Sequence, residues 1–230
     1  MGIRKPAVAG SFYPADPEKL RAELTRCLEP AVASKQRAVG AVAPHAGYRY
    51  SGAVAGGLYR RLDLPQKFVI LSPNHTGLGV PFSIMPEGGW ETPLGTAPID
   101  AGLASRFMKN CPLLQADDRA HRTEHSLEVQ IPFLQRLKKN FSFVPLTLGH
   151  ISYPDCESVG VALAATLREA EGPVLIIASS DLNHYEDQET AMEKDRWAID
   201  KSWRSIRRVS TGPSTNRRSR CAGSSRPRSC

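Results

Sequence analysis

Hydrophobic residues occur along this chain in two patterns, and each pattern predicts a different secondary-structure element. Short apolar runs predict buried strands, and these runs occupy residues 38–43, 68–71, 141–148 and 174–178. Apolar residues spaced three or four positions apart predict helices, and this spacing occurs at residues 17–30, 51–62, 99–108, 124–137, 155–170 and 186–200. Because strands alternate with helices, the chain is predicted to form an α/β layered sandwich with a largely parallel central sheet.

Particular residues refine three parts of this prediction. Ser51 is expected to cap the second helix. Pro132 is expected either to kink the helix at residues 124–137 or to mark where that helix really starts. Residues 78–97 are rich in glycine and proline and are predicted to form an irregular segment with one strand.

The net charge of +7 is confined to the end of the chain. Residues 1–200 carry 21 Lys and Arg against 23 Asp and Glu, whereas residues 201–230 carry 9 Lys and Arg and no acid. We therefore predict one domain over residues 1–200, followed by a basic, Arg- and Ser-rich tail that is disordered. Nucleic-acid binding is not expected, because the predicted domain has no excess of positive charge for a phosphate backbone to bind.

Simple counts exclude several classes of protein. No apolar run reaches the length of about 18 residues that a membrane-spanning helix requires, and the N-terminus lacks a signal-peptide pattern. The five cysteines are widely spaced and form no Cys-x-x-Cys motif, which argues against a disulfide framework or a zinc ribbon. These features are typical of a cytoplasmic protein.

Three predicted strands each end in a polar loop that carries candidate site residues. His45 follows the first strand, His75 follows the second, and Asp181 and His184 follow the strand at residues 174–178. Ligands bind beyond the carboxyl ends of the strands in parallel sheets, so we expect these side chains to surround one crevice. Asp181 has a second interpretation, as a cap of the helix that follows it.

Glu124, His125 and Glu128 form a fourth group of candidate site residues. If the helix already runs through Glu124, the two glutamates share one face, and their repulsion calls for a histidine or a metal ion between them. Glu124 has another interpretation, as a favourable negative charge at a helix N-terminus.

The residue types at these positions suit a transition metal. Imidazole and carboxylate ligands together favour Fe(II), Zn(II) or Cu(II). Two histidines and one carboxylate with open positions are typical of non-haem iron oxygenases, and zinc-dependent hydrolysis is compatible with the same ligands. No His-Glu-x-x-His motif is present to favour zinc. A serine nucleophile is not expected at Ser179-Ser180, which lack the Gly-x-Ser-x-Gly pattern.

Five segments of this sequence together resemble the Memo family, whose microbial members are also called AmmeMemoRadiSam system protein B. The segments are, in chain order, RKPAVAGSFYP, APHAGYRYSG, ILSPNH, TEHSLEVQIPFL and SSDLNHY. Each segment alone is a weak signal, but all five occur in the order of the family across residues 4–185.

The resemblance implies a fold like that of class III extradiol dioxygenases. It implies that His45 and His75 bind a metal, which is iron, with copper or zinc as alternatives. The implied catalytic group consists of His184, Asp181, Glu124 and His125. The implied function is that of a dioxygenase-like redox enzyme with a small molecule in its pocket. The alternative is a non-catalytic scaffold or signalling protein that holds a metal or a peptide there.

The end of the chain departs from the family pattern, which has a cysteine ligand in a Met-Cys-Gly context. Residues 201–230 do not contain that motif. One shifted reading of the codons from Ser202 onward permits LALDPPGFYRTVHEPAVSMCGFVPATVM, which contains Ser-Met-Cys-Gly. We therefore predict a shift of reading frame near Lys201 as the alternative to a genuine basic tail. The third metal ligand would then be lost or replaced by Asp181.

Overall fold

Residues 2–210 of the chain are described by the computed structural model. The chain divides after Asp181 into two compact units, which are described separately. The strands are β1 (Ile3–Arg4), β2 (Gly40–Ala43), β3 (Lys67–Pro73), β4 (Phe82–Ile84), β5 (Gly89–Thr92), β6 (Gly95–Pro98), β7 (Gln115–Ala116), β8 (Ser142–Leu148) and β9 (Val174–Ser179). The helices are α1 (Pro17–Leu28), α2 (Tyr48–Tyr59), α3 (Ala101–Asn110), α4 (His125–Glu128), α5 (Ile131–Leu137), α6 (Tyr153–Arg168) and α7 (Gln188–Ser210).

The first unit contains a six-stranded sheet in the order β2-β9-β3-β8-β4-β7. The four strands β2, β9, β3 and β8 are parallel, whereas β4 pairs antiparallel with β8. The predicted α/β architecture with a largely parallel central sheet is therefore confirmed. Ala43 at the end of β2 pairs with Ser179 at the end of β9, so the loops that follow these strands leave the same edge of the sheet.

Helices cover both faces of this sheet, because the buried strands are apolar on both sides. Phe68 and Ile70 of β3 belong to a core that also includes Leu20 and Leu24 of α1. Val69, between them, points to the opposite face and packs with residues of α3 and α6. The alternation of side chains along one strand thus divides the core into two layers.

The segment at residues 78–97 is more regular than its composition predicted. It contains β4, β5 and the start of β6, and β5 and β6 form an antiparallel hairpin that joins β1 in a three-stranded sheet. Gly95 at the hairpin turn has a φ of +115°, a conformation that favours glycine. These short strands have little apolar alternation, so the prediction of a single strand was wrong; β7 was also not predicted.

Two details of the predicted helices are settled by their first turns. The second helix begins at Tyr48 with Gly47 as its N-cap, so the prediction that Ser51 caps it was wrong. The Ser51 hydroxyl lies inside the helix and donates to the carbonyl of Ala46. The helix predicted at residues 124–137 is two helices, and Pro132 lies in the first turn of α5. Pro132 therefore marks a true start, where the missing N–H of proline leaves no hydrogen bond unmade.

The second unit begins at Leu182, and its helix α7 runs through the predicted domain boundary at residue 200. Asp187 accepts hydrogen bonds from the main-chain N–H groups of Glu189 and Thr190, both at 3.0 Å, and so caps this helix. The interpretation of Asp181 as that cap was wrong. Residues 211–230, most of the predicted tail, lie outside the described residues. No helix in residues 2–210 combines the length and apolar character that a membrane span requires.

Candidate metal site

Three histidines of the first unit converge at the carboxyl edge of the sheet. His45 follows β2, His75 follows β3, and His125 is the first residue of α4. Each can offer one ring nitrogen such that all three atoms lie within 4.8 Å of one another. The ring centroids of His75 and His125 are 4.6 Å apart, and that of His45 lies 5.3 Å from His75 and 5.6 Å from His125. This group could hold a metal ion.

His45 is held on both sides of its ring by residues at the end of β9. Its main-chain N–H donates to Oδ1 of Asp181 at 2.7 Å, and its Nδ1 lies 3.2 Å from the hydroxyl of Ser179. Oδ2 of Asp181 is 3.6 Å from Nε2 of the His45 ring. The side chain of His45 is 4% exposed, so the ring is held in a fixed position at the base of the site.

His75 is held by the buried carboxylate of Glu124. The main-chain N–H of His75 donates to Oε2 at 2.7 Å, and Nδ1 lies 2.9 Å from Oε1. A carboxylate only accepts hydrogen bonds, so Nδ1 of His75 carries the proton and its Nε2 keeps a lone pair for a ligand. The side chain of His75 is 42% exposed, which leaves this face of the site open.

Glu124 is ionised although it is fully buried. Burial alone would raise its pKa, but hydrogen bonds from Ser126 and His75 outweigh burial and lower the pKa. Ser126 donates through both its N–H and its hydroxyl to Oε1, at 2.9 and 2.7 Å. Glu124 is therefore both the N-cap of α4 and an acid of the site, which joins the two interpretations drawn from the sequence.

His125 contacts the other two histidines and an aromatic ring from the N-terminal segment. The centroid of Phe12 lies 4.7 Å from that of His125, and Nδ1 of His125 is 3.5 Å from Oε1 of Glu124. Burial lowers the pKa values of His45 and His125, and the neighbouring His75 lowers both further. Both rings are consequently neutral near pH 7, which is the form that binds a metal.

The turn that carries Glu124 and His125 is anchored by the N-terminal segment. The guanidinium of Arg4 donates from Nε to the carbonyl of His121 at 2.8 Å and from Nη2 to the carbonyl of Glu124 at 2.9 Å. Its Nη1 also forms a buried ion pair with Glu128. The plane of Trp90 packs on this cation, with Cζ 4.1 Å from the ring centroid.

Glu128 faces this anchor and not the histidines. Its carboxylate accepts from the main-chain N–H groups of Ala7 and Val8, at 2.9 and 3.1 Å, and from the hydroxyl of Tyr13 at 2.6 Å. The helix starts after Glu124, so the condition that both glutamates share one helix face is not met. The cation that compensates Glu128 is Arg4, not a histidine or a metal ion.

Of the seven candidate site residues named from the sequence, the structure brings five together. These are His45, His75, Glu124, His125 and Asp181. His184 belongs to the second unit, and its role stays a prediction.

Sequence reasoning missed Ser179, which was considered only as a nucleophile, and Gln130. Gln130 is fully buried inside an otherwise apolar stretch, and that position was the available signal. A buried amide must find hydrogen-bond partners, and these two residues bind each other beside His45.

Comparisons with known proteins give one consistent result. A family model described as Memo-like protein matches residues 4–208. A MEMO1 family protein of Methanothermobacter thermautotrophicus is 43% identical over 210 residues, which cover 86% of this chain and 76% of that protein. MEMO1 family proteins of Methanosarcina mazei and Thermotoga maritima are 45% and 44% identical, over 87% and 86% of this chain and 74% and 76% of their own lengths. The resemblance predicted from the five motifs is confirmed.

Proposed function

This chain belongs to the Memo-like protein family, and from that premise we propose that His45, His75 and His125 bind a divalent transition metal. Iron(II) is the ion expected from the family resemblance. Copper and zinc are alternatives, because imidazole binds all three metals. The observation that carries the proposal is the convergence of three histidine nitrogens within 4.8 Å of one another.

The chemistry of the donors fits such an ion. His45 and His125 are kept neutral by burial, and Nε2 of His75 is left available by the bond from Nδ1 to Glu124. A histidine whose other nitrogen donates to a carboxylate is a common arrangement in metal sites, because the carboxylate fixes the ring and raises its basicity. The carboxylate of Asp181 lies beside His45 and offers an oxygen ligand of the kind that iron accepts.

We further propose a dioxygenase-like redox activity on a small molecule. Bound iron(II) would supply one-electron chemistry with molecular oxygen. The carboxylate of Asp181 lies at the edge of the site, 3.6 Å from the ring of His45. In this proposal it accepts a proton from a substrate hydroxyl. Glu124 orients His75, and His184 is the further acid or base in this proposal. We also propose that the protein is located in the cytoplasm.

A non-catalytic role is the second candidate. The open face at His75 would also admit the side chain of a peptide, and a metal held by three neutral histidines can serve as a binding site without turnover. The two candidates differ in whether the protein consumes oxygen.

Anaerobic titration with Fe(II), followed by calorimetry, tests the metal site. We expect His45→Ala, His75→Ala and His125→Ala each to weaken binding by more than about 100-fold, since even residues that only orient a ligand cost about 10- to 100-fold. The matched control is His150→Ala, which removes an exposed histidine outside the cluster. Equal affinity in all five proteins would show that these histidines are not the ligands.

Oxygen uptake separates the two candidate functions. The iron-loaded protein is supplied with a catechol in an oxygen electrode, beside iron-loaded Asp181→Asn. Uptake by the wild type that falls in the variant would support the redox enzyme. Bound iron without uptake on any aromatic diol would favour the non-catalytic candidate.

A further inference from the structure

A chain of buried hydrogen bonds leads from Tyr59, the last residue of α2, through Gln130 and Ser179 to His45. The amide nitrogen of Gln130 lies 2.9 Å from the carbonyl oxygen of Pro44, which can only accept. The amide is therefore oriented with its NH2 group toward Pro44 and its oxygen toward Tyr59. The Tyr59 hydroxyl lies 2.8 Å from that oxygen, and it donates because burial raises the pKa of the phenol.

Ser179 receives the second proton of this amide and has three partners in all. Its hydroxyl lies 2.6 Å from the carbonyl of Ser126, which again can only accept, so the single hydroxyl proton is used there. Nε2 of Gln130 donates to the hydroxyl oxygen at 2.9 Å and occupies one of its two lone pairs. The other lone pair is left for Nδ1 of His45 at 3.2 Å.

The direction of the last hydrogen bond follows from this count. Because Ser179 has no proton left to donate, Nδ1 of His45 must be the donor, and the lone pair of the ring resides on Nε2. The opposite tautomer would place a proton on Nε2, and Oδ2 of Asp181 is 3.6 Å from this nitrogen, beyond hydrogen-bond distance. It would also place the lone pair of Nδ1 against the remaining lone pair of the Ser179 hydroxyl.

We infer that Ser179 and Gln130 are positioning residues that fix His45 in the Nδ1–H tautomer, so that Nε2 is free to bind a metal. The inference rests on the proposed metal site for its purpose, but the tautomer itself is a property of the metal-free protein. Ser179, Gln130 and Tyr59 are each at most 3% exposed, so water is not available to replace a lost partner. His45 thus receives from neutral groups the orientation that His75 receives from a carboxylate.

The test is the tautomer of His45 in the metal-free protein, measured by long-range proton–nitrogen NMR with 15N-labelled histidine at pH 8. The ring signals are assigned by their loss in His45→Ala. We expect the wild type to show a protonated Nδ1 and an unprotonated Nε2. A wild-type ring protonated on Nε2 would overturn the inference without any variant having to fold.

Two substitutions of Ser179 then test whether its hydroxyl sets the tautomer. Ser179→Ala should raise the population of the Nε2–H form and weaken Fe(II) binding by about 10- to 100-fold, and Ser179→Thr should restore both. Ser180→Ala is the matched control, because that hydroxyl donates to the carbonyl of Asp181 and does not touch His45. Circular dichroism verifies that each variant is folded.

The outcomes separate this inference from the proposed function. An unchanged tautomer in folded Ser179→Ala would overturn the positioning role, whatever the metal affinity. If the tautomer shifts as expected in Ser179→Ala but the wild-type protein binds no Fe(II), the positioning role is retained and the metal site is rejected.

Discussion

Glu124 and Glu128 lie four residues apart on one segment and are both fully buried, yet they serve different parts of the molecule. Glu124 binds a ring nitrogen and the main chain of His75. Glu128 binds Arg4 and main-chain N–H groups of the N-terminal segment. The first carboxylate orients a side chain of the candidate site, and the second fixes the segment that carries it.

The difference shows that burial and charge alone do not identify a site residue. Two carboxylates buried to the same extent lose similar hydration, and hydrogen-bond donors surround each of them. Their roles are distinguished by those donors. The comparison predicts that substitution of Glu128 acts mainly on stability, whereas substitution of Glu124 acts mainly on metal binding.

The largest effect is expected for Glu128→Gln. This change leaves the buried guanidinium of Arg4 without its carboxylate, and breaking a buried ion pair costs about 3–5 kcal/mol. Urea unfolding of the metal-free protein measures the loss. The control is Glu18→Gln, which removes a partner from the exposed pair of Glu18 and Arg21 and should change stability by less than about 1 kcal/mol. Equal effects of the two changes would contradict the anchoring role.

Acid should loosen the same segment through His121. This buried ring lies between the hydroxyls of Ser83 and Thr147, at 3.1 and 3.0 Å, and burial lowers its pKa to about 4. The unfolded chain has the ordinary histidine pKa of about 6.5 and binds the proton first, so stability is retained above that pH and lost as the pH falls toward 4. The two pKa values correspond to about 3 kcal/mol.

Urea unfolding at a series of pH values measures this loss. His121→Gln has no ring to titrate, and its stability should fall less between pH 6.5 and pH 4 than that of the wild type. A parallel decline in both proteins would assign the acid sensitivity to other groups.

Glu124→Gln is expected to have a smaller effect in free energy, and that effect should appear in metal binding. The amide keeps an acceptor for Nδ1 of His75 but loses the negative charge that makes this histidine more basic. Fe(II) affinity should fall by about 10- to 100-fold, or about 1.4–2.7 kcal/mol. Glu128→Gln is the matched comparison, titrated in buffer where it is folded. A larger loss of affinity in that variant would reverse the assignment of the two carboxylates.

The smallest effect is expected for Phe12→Leu, which removes the ring beside His125 and keeps most of the apolar volume. Aromatic ring pairs contribute about 0.5–1.5 kcal/mol beyond their buried area. We expect a loss of stability within that range and a change in Fe(II) affinity of less than about tenfold. A larger change in affinity would indicate that Phe12 helps to position His125.

The sequence predicted those features of the fold and site that depend on short stretches of chain. Apolar runs predicted the parallel strands, and their ends located His45 and His75, because ligands gather at the carboxyl edge of a parallel sheet. Pro132 indicated either a kink or a helix start through its missing N–H, and the structure has the helix start. The hairpin of β5 and β6 was not predicted, since its strands are too short to show a period.

Only the tertiary structure decided which polar groups meet. Arg4 and Glu128 are 124 positions apart, His45 and Ser179 are 134 apart, and no local pattern relates either pair. A buried polar group must bind whatever partner the fold brings within about 3 Å, and that partner is set by the packing of distant elements. The sequence by itself therefore determined the positions of the histidines along the chain. The packing of the core determined which ring nitrogen of His45 and of His75 is left available to bind a metal.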